Sequence, residues 1–99
     1  MSVSVVFRRA ARVEFDDAAD WYEARRAGLG PDFTAAVQAI LDRIADMPES
    51  YPKVLREARQ ALVPGFPYCV YYVADATRAV VVSVFHTSRD PTIWQGRVP

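Results

Sequence analysis

The chain has 99 residues, of which 12 are basic and 12 acidic, so its formal net charge is zero. That length is one domain's worth, and a hydrophobic fraction of 52% excludes a disordered chain by composition. Charge neutrality argues against a protein that grips nucleic acid by itself, because phosphate contacts usually call for a basic excess. One cysteine, Cys69, excludes an internal disulfide or a Cys-rich zinc site and fits a reducing cytoplasm.

Residues Met1 to Arg9 lack the apolar core of a signal peptide, and no apolar run approaches the ~20 residues that span a bilayer. Ser2 to Phe7 reads as a short strand. Ala10 to Ala27 reads as a helix whose stripe is Ala11, Phe15, Ala18 and Tyr22. Its acids Glu14, Asp16, Asp17 and Asp20 lie toward the N-terminal half and Arg25 and Arg26 toward the C-terminal end, the order the helix dipole favours. The acid run reads as a solvated face. Gly28 is placed to end this helix, and Pro31 opens a second, with Phe33, Val37, Ile40, Leu41 and Ile44 as its stripe and Pro48 as its stop.

Glu49 to Glu57 reads as a loop. Three strands follow: Arg59 to Val63, then, after the Pro64-Gly65 turn, Tyr68 to Val73, then Ala79 to His86. The unbroken valines of the last strand predict burial on both faces and so an interior place in the sheet. Asp90-Pro91 opens a short tail helix that runs through Trp94. The order is β-α-α-β-β-β with a short C-terminal helix, an α+β class. The helical hairpin covers one face of the sheet and leaves the other open for aromatic and basic side chains.

Two motifs stand in this order. The first is Trp21-Tyr22-Glu23 followed by Leu29-Gly30-Pro31-Asp32-Phe33. The second is a Phe66-Pro67-Tyr68-Cys69-Val70-Tyr71-Tyr72 strand, then His86-Thr87-Ser88-Arg89-Asp90-Pro91 and Trp94. Together with the Arg59 to Leu62 strand, they resemble the RelE/ParE toxin superfamily of type II toxin–antitoxin systems, and more closely its ParE-like branch. The resemblance covers nearly the whole chain and implies one toxin domain over residues 1–99, a twisted antiparallel sheet with a helical hairpin on one face, and a cognate antitoxin that wraps and neutralises it in a hetero-oligomer. It implies growth arrest, through DNA gyrase in the ParE branch or through ribosome-dependent cleavage of mRNA in the RelE branch. A non-toxic interaction module of the same fold is a third alternative. The resemblance implies no cofactor and no membrane association.

His86 is the only histidine. It is a candidate proton acceptor or donor for RNA cleavage, and the plainer reading is that it caps its strand and bonds into the turn. Arg59, His86 and Arg89 form a candidate catalytic or anion-binding rim, since guanidinium groups grip phosphate in a fork. The plainer reading of Arg89 is an ion pair with Asp90 or with an acid of the first helix. Tyr68 and Trp94 are further target-binding candidates, by stacking, although such residues more often pack a sheet. Trp21 and Tyr22 are adjacent, cannot both enter the core, and are the antitoxin-binding candidates. Cys69 reads as a small core residue, and no metal site is expected. A single lysine, Lys53, and the absence of any tyrosine after Tyr72 depart from the RelE nuclease pattern and favour a non-enzymatic inhibitor.

Overall fold

The computed structural model describes residues 2–99. Its elements are β1 (Ser4–Phe7), α1 (Arg9–Arg25), α2 (Leu29–Asp46), β2 (Lys53–Leu55), β3 (Ala58–Leu62), β4 (Tyr68–Ala74), β5 (Arg78–His86) and α3 (Thr92–Gln95). The α+β class and the helical hairpin are those the sequence predicts. The five strands lie in the order β1-β5-β4-β3-β2.

Three features depart from expectation. β2 forms within the segment read as a loop; it is three residues long and pairs with β3 through an irregular register. So short a stretch carries no periodic signal, and only the neighbouring strand makes it one. The sheet is mixed, because β1 runs parallel to β5, with Ser4 opposite Arg78 and Phe7 opposite Val81. A strand that reaches its neighbour through most of the chain is free of the antiparallel constraint of a hairpin. Finally, the second face of the sheet is not open. The C-terminal tail covers it, with Trp94 and Val98 packing on Ala58, Cys69, Tyr71, Val82 and Phe85.

The main core lies between the hairpin and the other face. Phe15, Tyr22, Phe33, Val37 and Ile44 meet Val70, Tyr72, Val81 and Val84 there. The hairpin turn is built locally. Gly28 has φ +92, a conformation that favours glycine. The Glu23 carboxylate accepts from the backbone N–H groups of Gly28 and Gly30, both at 3.0 Å, and so caps the start of α2. At Gly30 a Cβ would sit 2.9 Å from the Ala19 carbonyl oxygen, so glycine permits the close approach of the two helices. The dipole order read for α1 needs correcting. The helix starts at Arg9, so its first turn holds no acid, and the carboxylates begin one turn later.

β5 lies between β1 and β4, as its valines predict. A bulge interrupts its pairing with β4. Tyr71 faces Ser83 but Tyr72 faces Val81, which leaves Val82 unpaired. An extra residue reverses the in–out alternation beyond it. Ala79 and Val81 point into the main core before the bulge, and Val84 does so after it, while Val82 and Phe85 join the tail-covered face.

Candidate functional site

The site lies where β5 outruns β1. β1 pairs only with Arg78 to Val81, so the rest of β5 has no strand beside it on that edge. Unpaired edge groups must be satisfied by something else. Glu14 of α1 supplies it: its Oε1 accepts from the Val84 N–H at 3.2 Å and from the Ser83 hydroxyl at 2.8 Å. Arg97 from the tail donates to the Val82 carbonyl at 3.1 Å and forks onto Glu14, with Nη1 to Oε1 at 2.9 Å and Nη2 to Oε2 at 3.1 Å. Arg89 adds a contact to Glu14 Oε2 at 3.3 Å. The Glu14 side chain is 12% exposed, so this pair stands largely out of water. Helix, strand edge and tail are tied together at one carboxylate.

Beside this clamp, between α1 and the end of β5, is a groove of about 570 Å³. Ala18, Tyr22, Tyr68 and Val84 are among the residues that line it, with Trp21, Pro67, His86 and Arg89. Tyr22 is buried and Trp21 is 52% exposed, so the adjacent pair divides between core and surface. Trp21 is nonetheless held, with the Arg25 guanidinium 4.3 Å from its ring centroid and the Tyr22 ring edge-on at 5.1 Å.

His86 sits opposite Tyr68 in the register, and the two rings meet edge-on at 5.1 Å. Its Nδ1 accepts the Ser88 backbone N–H at 3.0 Å, and the Ser88 hydroxyl lies 2.8 Å away. A backbone N–H can only donate, so the neutral ring carries its proton on Nε2. Burial pushes the hydroxyl pKa of Tyr68 and of Tyr22 above the ordinary tyrosine value, so both stay neutral at physiological pH. The groove therefore offers hydrogen-bond donors, apolar surface and, at its α1 side, the Asp17 carboxylate.

The structure brings together Trp21, Tyr22, Tyr68, His86 and Arg89. It does not bring Arg59 to them. Arg59 pairs with Tyr72, whereas His86 pairs with Tyr68, four residues along β4 or about 13 Å at ~3.3 Å per residue. Arg59 donates instead to the carbonyls of Tyr51 at 2.6 Å and Glu49 at 3.2 Å, so the expected three-residue rim does not form. Trp94 is also elsewhere: 4% exposed, it lies flat on Tyr71 with ring centroids 3.7 Å apart, on the opposite face of the sheet. Arg89 makes its ion pair with a first-helix acid, and its guanidinium also lies 4.6 Å from the Phe85 ring.

Reading the acid run as solvated missed Glu14. The signal was present, because Glu14 is three residues after Ala11 and four before Ala18 and so shares their face of α1. Arg97 and Ser83 carried no comparable mark. Among the described residues, no group of three or more His, Cys, Asp or Glu side chains could hold a metal ion, and no helix is long and apolar enough to cross a membrane.

Comparison with known proteins bears on this geometry. A solved structure described as a chromosomal ParDE TA system from P. aeruginosa shares the fold, with a TM-score of 0.76 at 10% identity, covering 88% of this chain and 98% of that one. A search of curated proteins gave no match. The family model described as ParE toxin of type II toxin-antitoxin system, parDE, matches residues 5–91. The span takes in the hairpin, the five strands except for Ser4, and both His86 and Arg89, and the chain belongs to the ParE toxin family of type II toxin–antitoxin systems.

Proposed function

We propose that this toxin acts by binding DNA gyrase, without a catalytic site of its own, and that a cognate antitoxin neutralises it. The observation that carries the reading is the state of the basic residues around the groove. Cleavage through a ribose 2′-hydroxyl needs a proton acceptor beside free positive charge. His86 has its Nδ1 occupied by Ser88 and presents Nε2–H, a donor. Arg89 is paired with Glu14, and Arg59 serves the far end of the sheet. What remains is a concave, largely apolar surface with fixed donors, which suits a protein ligand. Membership of the ParE family points the same way.

A supercoiling assay with purified toxin tests it. Inhibition that rises with toxin and is reversed by antitoxin is the expected result; none at large excess overturns the gyrase reading.

A second reading, ribosome-dependent mRNA cleavage, draws on one observation: Tyr68, His86 and Arg89 share the groove. It predicts cut transcripts on translating ribosomes, lost in His86→Ala. Growth arrest with intact transcripts removes it.

A further inference from the structure

We propose that the free edge of β3 at Leu62 is a second contact with the target protein, taking an extended segment that adds a strand there and sets an acidic side chain against Arg43. This deepens the gyrase reading above and rests on it.

Pro52 creates the opening. β2 covers β3 on its outer side, and the Gln60 N–H donates to the Pro52 carbonyl at 3.0 Å. Proline has no N–H to return, so the ladder stops there. In an antiparallel pair the backbone groups of successive residues point to alternate sides. The Val63 N–H goes to the Tyr68 carbonyl of β4 at 2.9 Å, so the groups of Leu62 face outward, where no described residue bonds them. An open edge of this kind is a template for a partner strand.

The side chains beside the edge suit such a segment. Leu62 lies opposite Cys69 and shares its face of the sheet, yet it is 65% exposed, because the tail that covers Cys69 stops short of it. An exposed leucine on an unpaired edge is what sheets avoid when folding alone decides. A groove of about 440 Å³ is lined by Leu62 from the sheet and by Ile40 and Arg43 from α2. Successive side chains of an added strand would turn toward Leu62 and toward α2 alternately.

Charge selects the polar member. Arg12, Arg89 and Arg97 each have a carboxylate partner. Arg43 is exposed, stands 5.9 Å from the Tyr51 ring centroid, and makes no ion pair among the described residues. A carboxylate on the arriving segment would pair it and fix the register.

Position points to the target. Leu62 is opposite Cys69, next to Tyr68, which lines the α1 groove, so both openings lie toward the same end of the strands. A stable protein complex covers about 800 Å² of each partner. On a chain whose whole accessible surface is 5803 Å², a target seated at the α1 groove extends well beyond it.

The test titrates gyrase supercoiling with the full-length wild-type toxin, with Leu62→Asp and Arg43→Glu, and with Thr34→Lys, an exposed position elsewhere on α2, as control. Each edge variant should need about tenfold more toxin for half inhibition. The control should match wild type, and all should melt within a few degrees of it. Hydrogen exchange at the Leu62 amide should slow when gyrase is added. Unchanged inhibition in both edge variants, or no slowing at Leu62, overturns this proposal and leaves the gyrase reading standing. Intact inhibition with weakened antitoxin binding assigns the edge to the antitoxin, and wild-type self-association lost in Leu62→Asp assigns it to a second copy; either result overturns the proposal as well. No inhibition by the wild type removes the gyrase reading and the edge contact with it.

Discussion

The two ends of the sheet are each held by an arginine, and they differ in what the arginine holds. At one end Arg59 donates to two main-chain carbonyls, and Tyr72 donates to a third, that of Pro48, at 2.6 Å. Together they fasten the turn after α2 to the sheet, and the functional capacity of these side chains is spent there. At the other end Arg97 meets Glu14, an acid on a different element, and the clamp stands beside a groove lined by the Asp17 carboxylate and the exposed Trp21. Two similar side chains thus mark a structural end and the end proposed above for recognition. Their partners, neutral carbonyls against a carboxylate shared with other groups, tell the two apart.

The largest expected effect falls on the recognition end. Glu14→Ala leaves the partly buried Arg97 without its counter-charge and strips the Val84 N–H of its acceptor. It should cost about 3–5 kcal/mol, read as a fall in denaturation midpoint. A smaller loss than Arg59→Ala produces would break the comparison. Arg59→Ala itself should cost about 2 kcal/mol, from charge-assisted bonds to the turn, and leave antitoxin affinity unchanged; weakened binding would give that end a recognition role.

The tyrosines offer a pH test. Burial pushes Tyr72, at the structural end, and Tyr71, under Trp94, up to about 12. Because an unfolded tyrosine ionises near ~10, the unfolded chain loses these protons first. Their contribution to stability is therefore full below pH 10 and falls as pH rises toward the folded value. Absorbance titration of the phenols should show Tyr71 and Tyr72 ionising last, after Tyr22 and Tyr68, and an alkaline unfolding midpoint that does not move in Tyr72→Phe would contradict it. The smallest effect on stability is expected for Trp21→Ala, within about 0.5 kcal/mol, because the ring is half exposed. A drop of several degrees in melting temperature would make Trp21 part of the fold instead of the recognition surface.

Much of the architecture is local and so was legible. The stripe Ala11, Phe15, Ala18 and Tyr22 is buried as its spacing demands, and the continuous valines of β5 are buried on both faces. Trp21 and Tyr22 could not both turn inward, and they do not. Hydrophobic period and turn chemistry act over a few residues, so a single sequence displays them.

What the tertiary structure decided depends on contacts between residues far apart in the chain. The parallel partner of β1 is some seventy residues away, and β2 exists only because β3 lies beside it. Glu14 looks like one more surface acid until Ser83, Val84 and Arg97 come to meet it. The bulge at Val82 is the clearest case. Alternation alone assigns His86 a face by parity, and one unpaired residue reverses that assignment beyond it. Sequence determined that the hairpin and strands form and which family they belong to. Only the register, set by packing on both faces of β5, decided which side chains reach the groove.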